Sequence, residues 1–213
     1  MAYVRQFSYI PKEIPRRRIL KRLGYSGHTT EISGDSMSEI DRWIQRSSDL
    51  ISLQGQCLRA EFEAPQGEED DSIILNPSGE LIRSRKLRGL LEHSDQMLLL
   101  GLTGGSVVAA EIASLQAEGR MTEAVVIDAA AGEIVDQGFQ WLANLYSGEL
   151  LREGRRLTGR RFSAGYGDFE LNFQKDMFRL LKLDKIGITI TDSCILVPEK
   201  SVTAVYGIVK SAN

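Results

Sequence analysis

The stretch Arg160-Arg161-Phe162-Ser163-Ala164-Gly165-Tyr166-Gly167-Asp168-Phe169 brings together a guanidinium, two glycines, a phenol and a carboxylate ahead of an amphipathic run. Glycine lets a backbone come close to a ligand. Arg161 has the planar fork that grips a carboxylate through two parallel hydrogen bonds. Tyr166 offers a flat apolar face with a hydroxyl at its tip. Asp168, just before the next helix, suits a cap or an Asx turn as well as a ligand contact. On composition alone, a ligand-binding loop and a structured surface loop both fit.

Other candidate chemistry is thin. Gly101-Leu102-Thr103-Gly104-Gly105 precedes a helix and could cradle an anion, but it lacks the G-x-G-x-x-G spacing and no Gly-Lys-Ser/Thr follows. It reads better as a tight strand-to-helix turn. The two cysteines, Cys57 and Cys194, make neither a C-x-x-C motif nor a metal spacing, and each suits a half-buried strand. Of the two histidines, His93 sits at a helix end as a solvated residue. A Ser-His-Asp triad or a His-rich metal site therefore has little raw material.

The 213 residues are 42% hydrophobic, enough for one sizeable core, with no repeat and no low-complexity linker. Lys+Arg 26 against Asp+Glu 29 leaves a net charge of -3, which gives no electrostatic reason for nucleic acid or an anionic membrane as partner. No apolar run approaches the roughly 20 residues of a membrane helix, and residues 1–5 lack a signal-peptide pattern. A cytoplasmic location is the expectation.

The elements that must position the loop follow from periodicity. Pro15 and Gly24 bracket a short basic helix with Ile19, Leu20 and Leu23 on one face. Its arginines suit a solvated face better than a binding patch. Ser36-Met37-Ser38-Glu39 has capping-box spacing and opens a helix with Ile40, Trp43 and Ile44 on its apolar stripe. Residues 57–63 alternate as a one-face-buried strand, residues 67–71 form an acidic turn, and 72–75 form a short strand. Residues 80–92 read as a basic amphipathic helix. Residues 97–105 form a buried strand entering a glycine turn, and 107–117 a helix. Residues 124–151 form a long Ala-rich helix with a break expected near Gly132 or Gly138, and 152–159 a basic turn. Residues 173–183 are amphipathic, and strands follow at 186–191, 194–197 and 202–209. Helices and strands mix without regular alternation, which predicts an α+β fold with a mainly antiparallel sheet.

Taken together, several motifs resemble one family. Arg161-Phe162-Ser163-Ala164-Gly165-Tyr166 is similar to the Arg-x-x-Pro-Gly-Tyr loop of the reactivation (activation) domain of cobalamin-dependent methionine synthase. Phe178-Arg179-Leu180-Leu181, Gly187-Ile188-Thr189-Ile190-Thr191-Asp192-Ser193 and Pro198-Glu199-Lys200-Ser201-Val202-Thr203-Ala204 resemble further family segments in the same order. The resemblance is firm over about 129–209. Towards the N-terminus it is a general likeness to short, stand-alone members, notably in Leu23-Gly24-Tyr25.

The resemblance implies helices on a twisted, mainly antiparallel sheet, as a single domain over 1–213. That domain would have a helical part at 1–55 and an α+β body at 56–213 that carries the loop at 161–166. It implies binding of S-adenosylmethionine by Asp136, Arg161, Ser163, Gly165 and Tyr166. Asp136 would hold the ammonium, with Glu133 or Asp128 serving after a one-turn shift. Arg161 would hold the carboxylate, Ser163 would contribute a backbone carbonyl, and Gly165 and Tyr166 would shape the pocket. No side-chain acid or base is required, since the module orients a methyl group towards cob(I)alamin.

The chain lacks the Asp-x-His-x-x-Gly signature that supplies cobalt's axial histidine. Cobalamin would therefore come from a partner, the corrinoid domain of a methionine synthase or a related protein, with a flavodoxin-like protein as reductant. The expected role is a methyltransferase-associated component of methionine biosynthesis. Ala164 stands where the family has proline. This motivates an alternative, an escort for a corrinoid protein with a degraded pocket and no catalysis. The lack of a glycine-rich nucleotide fingerprint argues against the commonest cobalamin-independent methyltransferases.

Overall fold

Long strands buried on both faces account for the architecture. The computed structural model describes residues 3–25, 34–65 and 71–211. At its centre lie β2 (Gln54–Glu63), β5 (Ser94–Thr103) and β9 (Ser201–Lys210), paired antiparallel with Leu58 opposite Leu99 and Leu100 opposite Ala204. Successive side chains of a strand face opposite ways. Leu98, Leu100 and Leu102 accordingly enter one apolar cluster with Ala204 and Tyr206. Met97 and Leu99 enter the other with Val205. Both faces of this sheet must be covered, and helices cover them.

The sheet order is β4 (Leu81–Arg83), β3 (Ser72–Asn76), β2, β5, β9, β6 (Arg155–Leu157), with β1 (Val4–Phe7) on the same edge of β2 as β3. One face carries α2 (Gly34–Leu50), α4 (Ser106–Ala117) and α5 (Met121–Arg152), and α1 (Arg16–Arg22) packs through Ile19 against α2 and α5. The other face carries α3 (Arg85–Leu91), α6 (Phe173–Leu180) and a 3₁₀ turn, Leu183–Ile186. The fold is α+β with a mainly antiparallel sheet, as the element pattern implies. Among the described residues no helix is long and apolar enough to cross a membrane.

Several local expectations are corrected. The α5 helix runs unbroken for 32 residues. Its glycines serve close packing: a Cβ on Gly138 would lie 2.7 Å from Leu53 Cδ1, and one on Gly132 would lie 3.3 Å from Arg22 Nη1. The predicted helix at 80–92 is instead strand β4 (Leu81–Arg83) followed by α3, because the hydroxyl of Ser84 caps α3 by accepting from Leu87 N at 3.0 Å.

The basic turn at 152–159 contains an edge strand, β6 (Arg155–Leu157), paired with β9. The expected strand at 186–191 shrinks to β7 (Thr189–Ile190), which pairs with β8 (Leu196–Val197) as a hairpin off the main sheet. Gly187 at φ +74 ends the preceding 3₁₀ turn and leaves little length for a strand. Ser36 lies inside α2, which is already helical at Gly34. Residues 1–55 contain β1 as well as helices. Most of the acidic turn at 67–71 lies outside the described residues.

Candidate functional site

The 160–169 loop is a hydrogen-bonded structure built on the edge of β9. Beyond the end of β6 that edge is free, and Phe162 takes it: Phe162 N donates to Val205 O at 2.9 Å and Val205 N returns a bond at 2.8 Å. Ser163 Oγ donates to Thr203 O at 2.7 Å. The chain then turns. Tyr166 N donates to Ser163 O at 3.2 Å, and Gly165 N donates to Phe169 O at 2.8 Å. Gly165 at φ +88 and Gly167 at φ +61 supply left-handed backbone that a side chain would strain.

Phe162 stacks on Phe169, which packs on Phe173 at the start of α6. Asp168 does cap a helix, but the helix is α3, across the fold, rather than α6. It accepts from Ser84 Oγ at 2.7 Å and from Arg85 N at 2.9 Å. The Ser84 hydroxyl bond, helped by the Lys86 and Arg85 amides, holds its carboxyl below the ordinary 3.8.

Arg161 leaves this loop towards α5. Its Nη2 donates to Asp136 Oδ1 at 2.8 Å, and its guanidinium carbon sits 4.5 Å from the centre of the Phe139 ring. Asp136 and Phe139 are three residues apart and so share a helix face. The buried Tyr206 hydroxyl also lies against Arg161: burial pushes the phenol's pKa up, and the guanidinium partly offsets this. The acidic alternatives are engaged elsewhere. Glu133 bonds Arg18 at 3.1 Å and Arg22 at 3.4 Å, both on α1. Asp128 accepts from Lys200 Nζ at 2.5 Å. Asp136 is therefore the carboxylate that meets the arginine.

These groups border a cleft of about 980 Å³. Asp136, Arg161, Ser163 and Tyr166 line it; Gly165 does not and acts through the turn. The Tyr166 ring is 69% exposed at the rim. Parity along β9 shows how the cleft is built. Tyr206 faces α5, whereas Thr203 faces α6, so the cleft wraps around the strand edge with a charged end on one face and a neutral polar end on the other. Among the described residues no group of three or more His, Cys, Asp or Glu could hold a metal.

That arrangement of loop, helix and last strand lies within one matched span. Residues 120–213 match the family model of the vitamin B12 dependent methionine synthase activation domain. The span holds α5, the 160–169 loop, α6 and β9, which bears out the resemblance read from the motifs. A solved structure, "Crystal Structure of the MetH Reactivation Domain bound to AdoHcy", superposes with a TM-score of 0.65 at 15% identity, covering 96% of this chain and 78% of that one. It therefore shares the fold beyond the matched span. A search of curated proteins finds no match.

The motifs read from the sequence include the arginine loop and Asp136 but not the far end of the cleft. Gln174 and Thr203 are both buried there, and Thr203 Oγ1 donates to Gln174 Oε1 at 3.0 Å. One signal was present: Gln174 is a polar residue between Phe173 and Met177 on the buried face of α6. Phe139 and Tyr206, which seat Arg161, carried no signal beyond ordinary core patterning.

Proposed function

We propose that the chain is a methionine synthase activation module that holds S-adenosylmethionine in the cleft and orients its methyl group towards a corrinoid on a partner domain. The observation that carries the reading is the Asp136–Arg161 pair at 2.8 Å in a cleft bordered by the glycine-tyrosine turn. An amino-acid head group bears one ammonium and one carboxylate, and this pair offers one complement to each. Arg161 keeps N–H groups beyond the Asp136 bond, and Asp136 keeps its Oδ2. A zwitterion can therefore bridge the two without either charge losing its partner.

Supporting this, about 980 Å³ falls in the range of small-molecule clefts. The solved relative is described as bound to AdoHcy, the molecule left when S-adenosylmethionine gives up its methyl group. A reduced corrinoid supplies the nucleophile. This chain's residues bind the donor, fix its orientation and need no proton transfer. The partner in this reading is a cobalamin-binding domain of methionine synthase or a related protein. Residues 1–213 would act as one domain with the loop at 161–166 at its working end.

A second reading has its own support. Arg161 and Asp136 already satisfy each other, and Tyr166 faces outward at 69% exposure, as an escort without a small-molecule pocket would allow. Calorimetric titration with S-adenosylmethionine separates the two. Saturable binding that Arg161→Ala abolishes supports the activation reading. Docking on a corrinoid domain without any nucleoside binding supports the escort.

A further inference from the structure

At the neutral end of the cleft one buried side-chain amide has no acceptor for its nitrogen among the described residues. Gln174 is 6% exposed, yet it lines the cleft. Thr203 Oγ1 donates to its Oε1 at 3.0 Å, with the amide oxygen turned towards β9. The oxygen is held against β9, so the NH₂ group faces the other way. Among the described residues that nitrogen has no hydrogen-bond partner, and it is not among the sealed polar atoms. A buried amide on the apolar face of α6 costs stability unless its polar atoms are used. Thr203 uses one half, and the cleft that Gln174 lines is open to the other.

Position says what the donor meets. Arg161 contacts the β9 strand at Tyr206 and Gln174 contacts it at Thr203, with the two on opposite faces of its edge. Three residues of strand rise span on the order of 10 Å, more than an amino-acid head group covers. A ligand anchored at Arg161 and Asp136 would therefore bring its far half to Gln174. In an adenosyl ligand that half is a ribose and a purine, whose ring nitrogens accept hydrogen bonds and do not donate them.

Resting on the cleft reading above, we propose that Gln174 is a positioning residue that donates from Nε2 to an acceptor of the nucleoside half, with Thr203 holding the amide in that orientation. The site then has two anchors, a charged one for the head group and a neutral donor for the nucleoside. Together they fix the sulfonium between them.

The test uses the full chain. Gln174→Met keeps the length and removes the donor, and it should weaken S-adenosylmethionine binding roughly three- to tenfold. In the wild type, the Gln174 side-chain amide resonances, assigned by their loss in that variant, should shift when S-adenosylmethionine saturates the protein. Thr203→Val should weaken binding less, because the amide is then free to turn. If the wild type binds and Gln174→Met binds within twofold of it, the inference is overturned while the cleft reading stands. If Gln174→Met binds weakly but the wild-type amide signals do not move with ligand, Gln174 is structural and the inference is again overturned. No binding by the wild type overturns the cleft reading and this inference with it.

Discussion

Replacing Arg161 by methionine separates what the arginine does for the fold from what it does for the cleft. Its ion pair joins side chains 33% and 46% exposed, a setting in which such pairs contribute no more than about 1 kcal/mol. Its position over Phe139 adds about 0.5–1 kcal/mol as a cation–π contact. Methionine keeps most of the stem that packs on that ring. The net loss in stability is thus about 1 kcal/mol, a shift of roughly 2–4 °C in melting temperature for a domain of this size.

The cost in ligand binding is larger, because the ligand's carboxylate would lose charge-assisted hydrogen bonds of about 1.5–3 kcal/mol, or roughly 10- to 150-fold in Kd. Arg161→Lys keeps the charge but not the planar fork and should fall between. A thermal melt and a calorimetric titration of each variant read the two effects separately. If Arg161→Met binds S-adenosylmethionine within threefold of the wild type, the assignment of the carboxylate anchor is refuted. If the variant instead melts far lower than this small shift, the arginine is chiefly a folding residue.

Other outcomes follow from the same structure. On α5, Gly148 has open space around its missing Cβ, so Gly148→Ala should raise stability by about 0.5–1 kcal/mol in a urea melt. Gly138→Ala should lower it by about 1–2 kcal/mol, because buried Leu53 and Leu102 must move aside. Asp168→Ala removes the carboxylate that backs the Ser84 cap and accepts from Arg85 N at the start of α3, and should cost about 1 kcal/mol at neutral pH. Because the Asp168 carboxyl is held below its ordinary 3.8, its contribution is fully present above that pH and fades as pH falls through the lower folded value. The gap between wild type and Asp168→Ala should therefore shrink in melts taken below about pH 4. Burial pushes the Cys57 thiol up to about 12, so native protein should leave Cys57 unlabelled by a thiol reagent at neutral pH and expose it only on unfolding.

Much of the framework was legible because it rests on short-range periodicity. The apolar run at 97–102 and the strand-forming run at 202–209 gave β5 and β9, and the Ala-rich stretch gave α5. What escaped were features decided by distant partners. The 155–157 edge strand exists because β9 offers a free edge, which no local pattern announces. Gly138 is a packing site rather than a break because Leu53 lies across from it.

In the cleft, Arg161, Ser163 and Tyr166 were expected from their motif and Asp136 from its place on the helix; the structure brings Asp136 to Arg161, while Glu133 and Asp128 pair with other residues. Gln174 and Thr203 went unread because their pairing joins segments 29 residues apart. Asp168 caps a helix 83 residues earlier in the chain, a role that its neighbours in sequence could not reveal.

The central claim is that the pair on α5 and the 160–169 loop grips an adenosyl amino acid. Isothermal titration of the purified chain with S-adenosylmethionine tests it most directly. The account predicts a saturable, one-to-one heat whose affinity falls roughly 10- to 150-fold in Arg161→Met and also drops in Asp136→Asn. Flat titrations up to millimolar ligand, with and without a corrinoid domain present, would contradict it.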